Sequence, residues 1–121
     1  MEIIRASECS VFRKPGLTSR HLLFPGNSNS ERITITRNTV APGGKNVPHR
    51  HKDAEQIWVA LRGSGHLLLE GGETMPFGEG DIARFEDGDL HGFENTSEID
   101  FEYIAVTSPP TSVRNANQEK A

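Results

Sequence analysis

Apolar residues in this chain come in short alternating runs, and turn-forming residues cut the runs every 8–12 positions or so. Residues 33–38 (ITITRN) alternate strictly, with Ile33, Ile35 and Arg37 on one side and Thr34, Thr36 and Asn38 on the other. Further runs of this kind fall at 2–5, 11–13, 17–24, 56–61, 66–70, 73–77, 82–85, 91–94 and 99–106. Between them stand Lys14–Pro15–Gly16, the loop PGNSNS at 25–30, and the pairs Gly71–Gly72 and Gly78–Gly80. No helical period is sustained anywhere. Eight to ten short strands so spaced predict an all-β fold, a sandwich or barrel.

The bulk numbers agree with one such unit. The chain has 121 residues, 12 Gly, 7 Pro and a hydrophobic fraction of 34%. A chain of this length buries roughly two-thirds of its unfolded surface, enough for a core without staples. Residues 1–108 read as a single domain. Residues 109–121 (PPTSVRNANQEKA) are polar and aperiodic, and read as a flexible tail. The formal net charge of −4 and the lack of a basic block argue against nucleic acid or an anionic membrane as partner. No window is apolar over transmembrane length. The lone Cys9 cannot form an internal disulfide. A cytoplasmic protein is the expectation.

Chemistry concentrates in two stretches. In residues 43–63, GGKNVPHRHKDAEQIWVALRG, His49 and His51 stand two apart. On an extended strand they point to one side, about 7 Å apart, and two such imidazoles can reach one metal ion. Gln56 opens the next strand, whose inward set would continue through Trp58 and Ala60, with Ile57, Val59 and Leu61 facing out. In residues 80–95, GDIARFEDGDLHGFEN, His91 would bring a third imidazole from across a barrel.

An HxH pair alone is a weak signal, but the joint spacing is specific. The first stretch resembles the first cupin motif, G(x)5HxH(x)3–4E(x)6G, from Gly43 through His49 and His51 to Gly63. The second resembles the second cupin motif, G(x)5PxGxxH(x)3N, from Gly80 through Gly88 and His91 to Asn95. The resemblance covers roughly residues 30–106. It implies a double-stranded β-helix barrel, the jelly-roll or RmlC-like cupin fold. It also implies a divalent metal held by three histidines and a carboxylate or amide.

The chain departs from the motifs at two positions. Glu86 stands where the second motif has proline, which puts the rigidity of that turn in question. At the usual glutamate position stands Gln56, with Glu55 beside it as a rival ligand. Gln56 keeps the six-residue spacing to Gly63, whereas Glu55 has seven, and neighbouring strand residues face opposite ways. Three imidazoles and an amide are all neutral. A bound ion would keep its full charge and favour an anionic or chelating ligand. Imidazole ligands suit Fe, Ni, Zn, Mn or Cu alike.

Trp58, Phe93, Tyr103, Arg37 and His66 are candidates for the pocket lining, each with an ordinary packing or surface role as its rival. His21 matches no motif position. The resemblance implies a metal-dependent enzyme of dioxygenase, isomerase or lyase type acting on a small oxygenated molecule. The alternatives are a non-catalytic ligand-binding or sensor barrel and a metal-free sugar-nucleotide epimerase. An outward stripe of Ile57, Val59 and Leu61 needs cover, and a homodimer would supply it.

Overall fold

A computed structural model describes residues 1–110; most of the expected tail, 111–121, lies outside the described residues. Ten strands follow in order: β1 (Ser10–Lys14), β2 (Leu17–Leu23), β3 (Thr34–Val40), β4 (Lys45–His49), β5 (Glu55–Arg62), β6 (Ser64–Leu69), β7 (Thr74–Gly78), β8 (Ile82–Phe85), β9 (His91–Glu94) and β10 (Phe101–Ser108). Residues 2–5, expected as a strand, are not one; a short 3-10 turn at Ala6–Glu8 follows them. Every paired strand runs antiparallel. A six-stranded sheet has the order β1-β2-β3-β10-β5-β8, and a four-stranded sheet has the order β4-β9-β6-β7. The strands thus form the two-sheet, all-β barrel expected from the alternating runs.

The inner face of the larger sheet can be read row by row from its register. One row runs Phe85, Gln56, Thr107, Thr34, and the next Ala83, Trp58, Ala105, Thr36, His21. Below them lie Ala60, Tyr103, Asn38, Ser19, and then Phe101, Val40, Leu17. Gln56, Trp58 and Ala60 are buried, and Ile57, Val59 and Leu61 face out, as their alternation requires.

On β3 the buried face is the polar one. Thr34, Asn38 and Val40 are buried, Ile35 is half-buried, and Arg37 is exposed. Alternation fixes that two faces differ but does not say which one turns inward. Here the outer face is itself apolar: Ile35 lies beside Val106, and Val106 beside Ile57. An isoleucine on β3 therefore finds apolar neighbours outside the barrel.

The core is largely aromatic. Phe93 and Phe101 stack at 4.0 Å between ring centres, with Phe77 against both. Phe101 leads to Tyr103 at 5.6 Å, and Tyr103 to Trp58 at 4.4 Å. Trp58 ends the column against His91 at 5.4 Å. Large rings filling the space between the sheets supply most of the buried apolar area.

Candidate metal centre

Gly43, Gly63, Gly80 and Gly88 all have φ between 75° and 87°. That left-handed backbone carries a steric penalty for any residue with a Cβ. The motif glycines are therefore turn positions, and they set where the histidine-bearing segments begin and end. Asn95 closes the second motif by donating its side-chain amide to the carbonyls of Val40 and Ile99. The turn at Glu86 is held without proline. The Glu86 amide, a donor that proline lacks, donates to Asp89 Oδ2 at 2.8 Å, and the Asp89 amide donates back to the Glu86 carbonyl. Gly88 N–H donates to the His51 carbonyl, which ties this turn to the histidine pair.

His49, His51 and His91 are all buried, and one ligand nitrogen from each lies within 4.8 Å of the others. The route to this cluster differs from the sequence expectation. β4 ends at His49, so His51 lies just beyond the strand. His91 is not across the barrel. It is the direct cross-strand partner of His49 on the neighbouring β9. The β4–β9 register shifts between Asn46 and His49, and Gly92 makes room for the close approach of the β4 backbone. A Cβ at Gly92 would lie 2.6 Å from the Asn46 carbonyl oxygen and 2.7 Å from the Pro48 nitrogen.

Gln56 is the residue that reaches in from the opposite sheet. Its Oε1 stands 3.0 Å from His91 Nε2 and 3.2 Å from His51 Nε2. The orientation of the amide is set by its neighbours. Trp58 Nε1, which can only donate, donates to Oε1 at 2.7 Å, and Gln56 Nε2 donates to Thr107 Oγ1 at 2.7 Å. Glu55 faces outward and pairs with Arg84 at 2.9 Å.

The imidazoles are oriented too. His91 Nδ1 lies 2.8 Å from the Asp89 carbonyl, and His49 Nδ1 lies 2.8 Å from the Val47 carbonyl. A carbonyl only accepts, so each Nδ1 carries its proton, and in the neutral ring the lone pair is on Nε2. The His91 lone pair then faces Gln56 Oε1, another acceptor, at 3.0 Å. Two acceptors this close need positive charge between them, from a metal ion or a second ring proton. The His91–Gln56 separation is that of two donors able to share one divalent ion, and the three imidazoles are grouped closely enough that they could hold it.

The other candidates separate by position. Trp58 contacts both Gln56 and His91. Phe85, which the sequence reading did not single out, stacks on His91 at 4.0 Å and 5°. Its place beside Gln56 in the register is a long-range pairing with no local signal. Tyr103 is buried one ring further in and accepts from Asn46 Nδ2 at 2.8 Å. Phe93 does not reach the histidines; it packs with Phe77 and Phe101. Arg37 lies outside the barrel, paired with Glu102 at 3.0 Å. His66 also points outward, between the buried Gly65 and Leu67, with Nδ1 3.1 Å from Thr96 Oγ1.

A cleft of about 630 Å³ opens where the edge strands β7 and β8 meet. It is lined by Leu67, Leu69, Met75, Phe77, Ile82 and Phe85 among others, and by none of the three histidines. Phe85 both lines this cleft and stacks on His91. Among the described residues no helix is long and apolar enough to cross a membrane.

Comparison with known proteins agrees with this geometry. Residues 36–107 match the family model described as a cupin domain. The chain is 27% identical over 111 residues to a Thermotoga maritima protein called oxalate-binding protein, covering 86% of this chain and 91% of that one. A solved T. maritima structure, described as a predicted oxalate decarboxylase, superposes with a TM-score of 0.76 at 25% identity, over 89% of this chain and 99% of that one. A polyketide cyclase from Streptomyces resistomycificus superposes with a TM-score of 0.74 at 26% identity, over 89% and 79% of the two chains. The match spans both histidine-bearing stretches and most of the barrel, and the chain belongs to the cupin family.

Proposed function

We propose that His49, His51, His91 and Gln56 hold one divalent metal ion, and that the protein is a metal-dependent enzyme acting on a small oxygenated anion. The observation that carries this reading is the meeting of Gln56 Oε1 with His91 Nε2 at 3.0 Å, two acceptors that a bound cation would satisfy. When bound, an ion held by four neutral donors supplies an undiminished positive charge that polarises carbonyl or carboxylate oxygens. The chain's own groups set the rest. The Asp89 and Val47 carbonyls fix the tautomers of His91 and His49. Trp58 and Thr107 hold the Gln56 amide with its oxygen inward. Trp58 and Phe85 pack on His91 and restrict water around it.

The names of the relatives support a small oxygenated ligand. One binds oxalate by name, and another is a polyketide cyclase. Oxygenation, isomerisation and lyase chemistry all begin from such a ligand bound through its oxygens. Elemental analysis of the purified protein beside His91→Ala tests the site. The wild type should carry about one ion per chain and the variant almost none; full metal in the variant would refute the assignment. A screen of diketones, hydroxy acids and keto acids with and without EDTA tests the activity, and turnover that survives complete metal removal would refute it.

A second reading, a non-catalytic binding protein, is favoured by one observation. Gln56, which fills the usual glutamate position and contacts His51 and His91, is an amide and supplies no base. Tight metal-dependent binding of these same compounds without turnover would select it. We also propose that the protein works in the cytoplasm as a homodimer.

A further inference from the structure

Beyond the histidines, the inner face of the larger sheet is unevenly furnished. Toward β8 it presents Phe85, Ala83, Trp58 and Ala60, and toward β2 it presents Thr34, Thr36, Asn38 and Ser19. Thr34, Asn38 and Ser19 are at least nine-tenths buried. Buried polar side chains are costly to keep unless something answers them. Asn38 Nδ2 donates to Thr36 Oγ1 at 3.0 Å, which answers one pair internally.

Asn46 crosses from β4 to meet this wall. Only 2% of it is exposed, and its Nδ2 donates to the Tyr103 hydroxyl at 2.8 Å. Its Oδ1 is buried and has no hydrogen-bond partner. An unanswered buried acceptor is costly, and no donor among the described residues meets this one. Tyr103 accepts from Asn46, and its own hydroxyl proton remains to be given. Burial pushes the Tyr103 phenol above its ordinary value, against the opposing effect of the Asn46 hydrogen bond, so the proton stays in place. An acceptor and a donor side by side match one chemical group, a hydroxyl, which does both. The match also holds with the Asn46 amide turned over. Tyr103 lies against Trp58, and Trp58 against His91, so the pair stands one ring from the metal centre.

We propose that Asn46 and Tyr103 form a hydroxyl-recognition site, and that the ligand is a hydroxylated keto or carboxylic acid. Its oxyanion end lies at the metal and its hydroxyl at this pair. The inference rests on the metal reading above. It separates this chain's ligand from oxalate, which has only acceptors when ionised and would leave Asn46 Oδ1 unanswered.

Calorimetric titration of the zinc-loaded full chain tests it. The probes are 2-oxo acids of four to six carbons, each with and without one terminal hydroxyl. At one chain length the hydroxylated acid should bind about tenfold tighter than its plain counterpart. Asn46→Leu should abolish that ratio while keeping zinc and the affinity for the plain acid. Tyr103→Phe, which preserves the ring packing, should reduce the ratio and decides the matter if Asn46→Leu does not fold. A ratio within twofold at every length, with zinc-dependent binding of the plain acids intact, overturns this inference and leaves the metal reading standing. A ratio that persists in both variants also overturns it. No zinc-dependent binding of any acid overturns both readings.

Discussion

Glu55 and Gln56 are one peptide apart and have opposite fates. Glu55 meets Arg84 on the outside, while Gln56 carries its oxygen to the histidines. Substituting them should therefore give opposite results. Glu55→Ala should leave metal content unchanged and cost little stability, as the loss of an exposed ion pair does. Gln56→Ala should weaken metal retention, read as a lower chelator concentration at half-release in a competition titration. Equal loss in both variants would contradict the assignment. Proton competition acts on the same residues. Imidazoles must be deprotonated to bind a metal, so the ion should be released as pH falls. Elemental analysis after dialysis across a pH series would follow that release.

At the scale of elements, the irregular pairing of β4 with β9 holds the centre together. Gly92 admits the β4 backbone, and His49 and His91 meet because the register shifts beside it. Gly92→Ala would place a methyl against the Asn46 and Pro48 backbone. It should cost about 1–3 kcal/mol in urea unfolding and also lower metal content. Phe93→Ala makes the contrast. Phe93 is fully buried against Phe77 and Phe101. Its removal should cost about 3–5 kcal/mol with metal stoichiometry near one in the protein that remains folded. The two variants separate damage to this pairing from damage to the core.

At the scale of the whole molecule, the outer face of the six-stranded sheet matters most. Ile35, Ile57, Val59, Ile104 and Val106 are only half-buried, and Leu61 and Ile82 are exposed. Contiguous apolar surface of this kind favours association. A dimer joined through this face should appear in size-exclusion chromatography with light scattering, and Val59→Lys should convert it to a monomer without loss of metal. A monomeric wild type at micromolar concentration would refute it.

The sequence by itself determined most of the strands and turns and the three histidines, but it placed a strand at 2–5 where none stands and left β4 out of the expected runs. Alternation, glycine spacing and motif offsets are local properties, and Gly16, Gly71, Gly72 and Gly80, expected at turns, take the left-handed backbone. The inward set of Gln56, Trp58 and Ala60 was legible for the same reason. Only tertiary structure decided what depends on pairing between distant strands. It turned the polar face of β3 inward, set Arg37 and His66 outside, and brought Phe85 onto His91. It also placed His91 beside His49, so that Gln56, not His91, reaches in from the opposite sheet. A period of two fixes which residues share a face. Which face is inside follows from the neighbours that long-range register supplies.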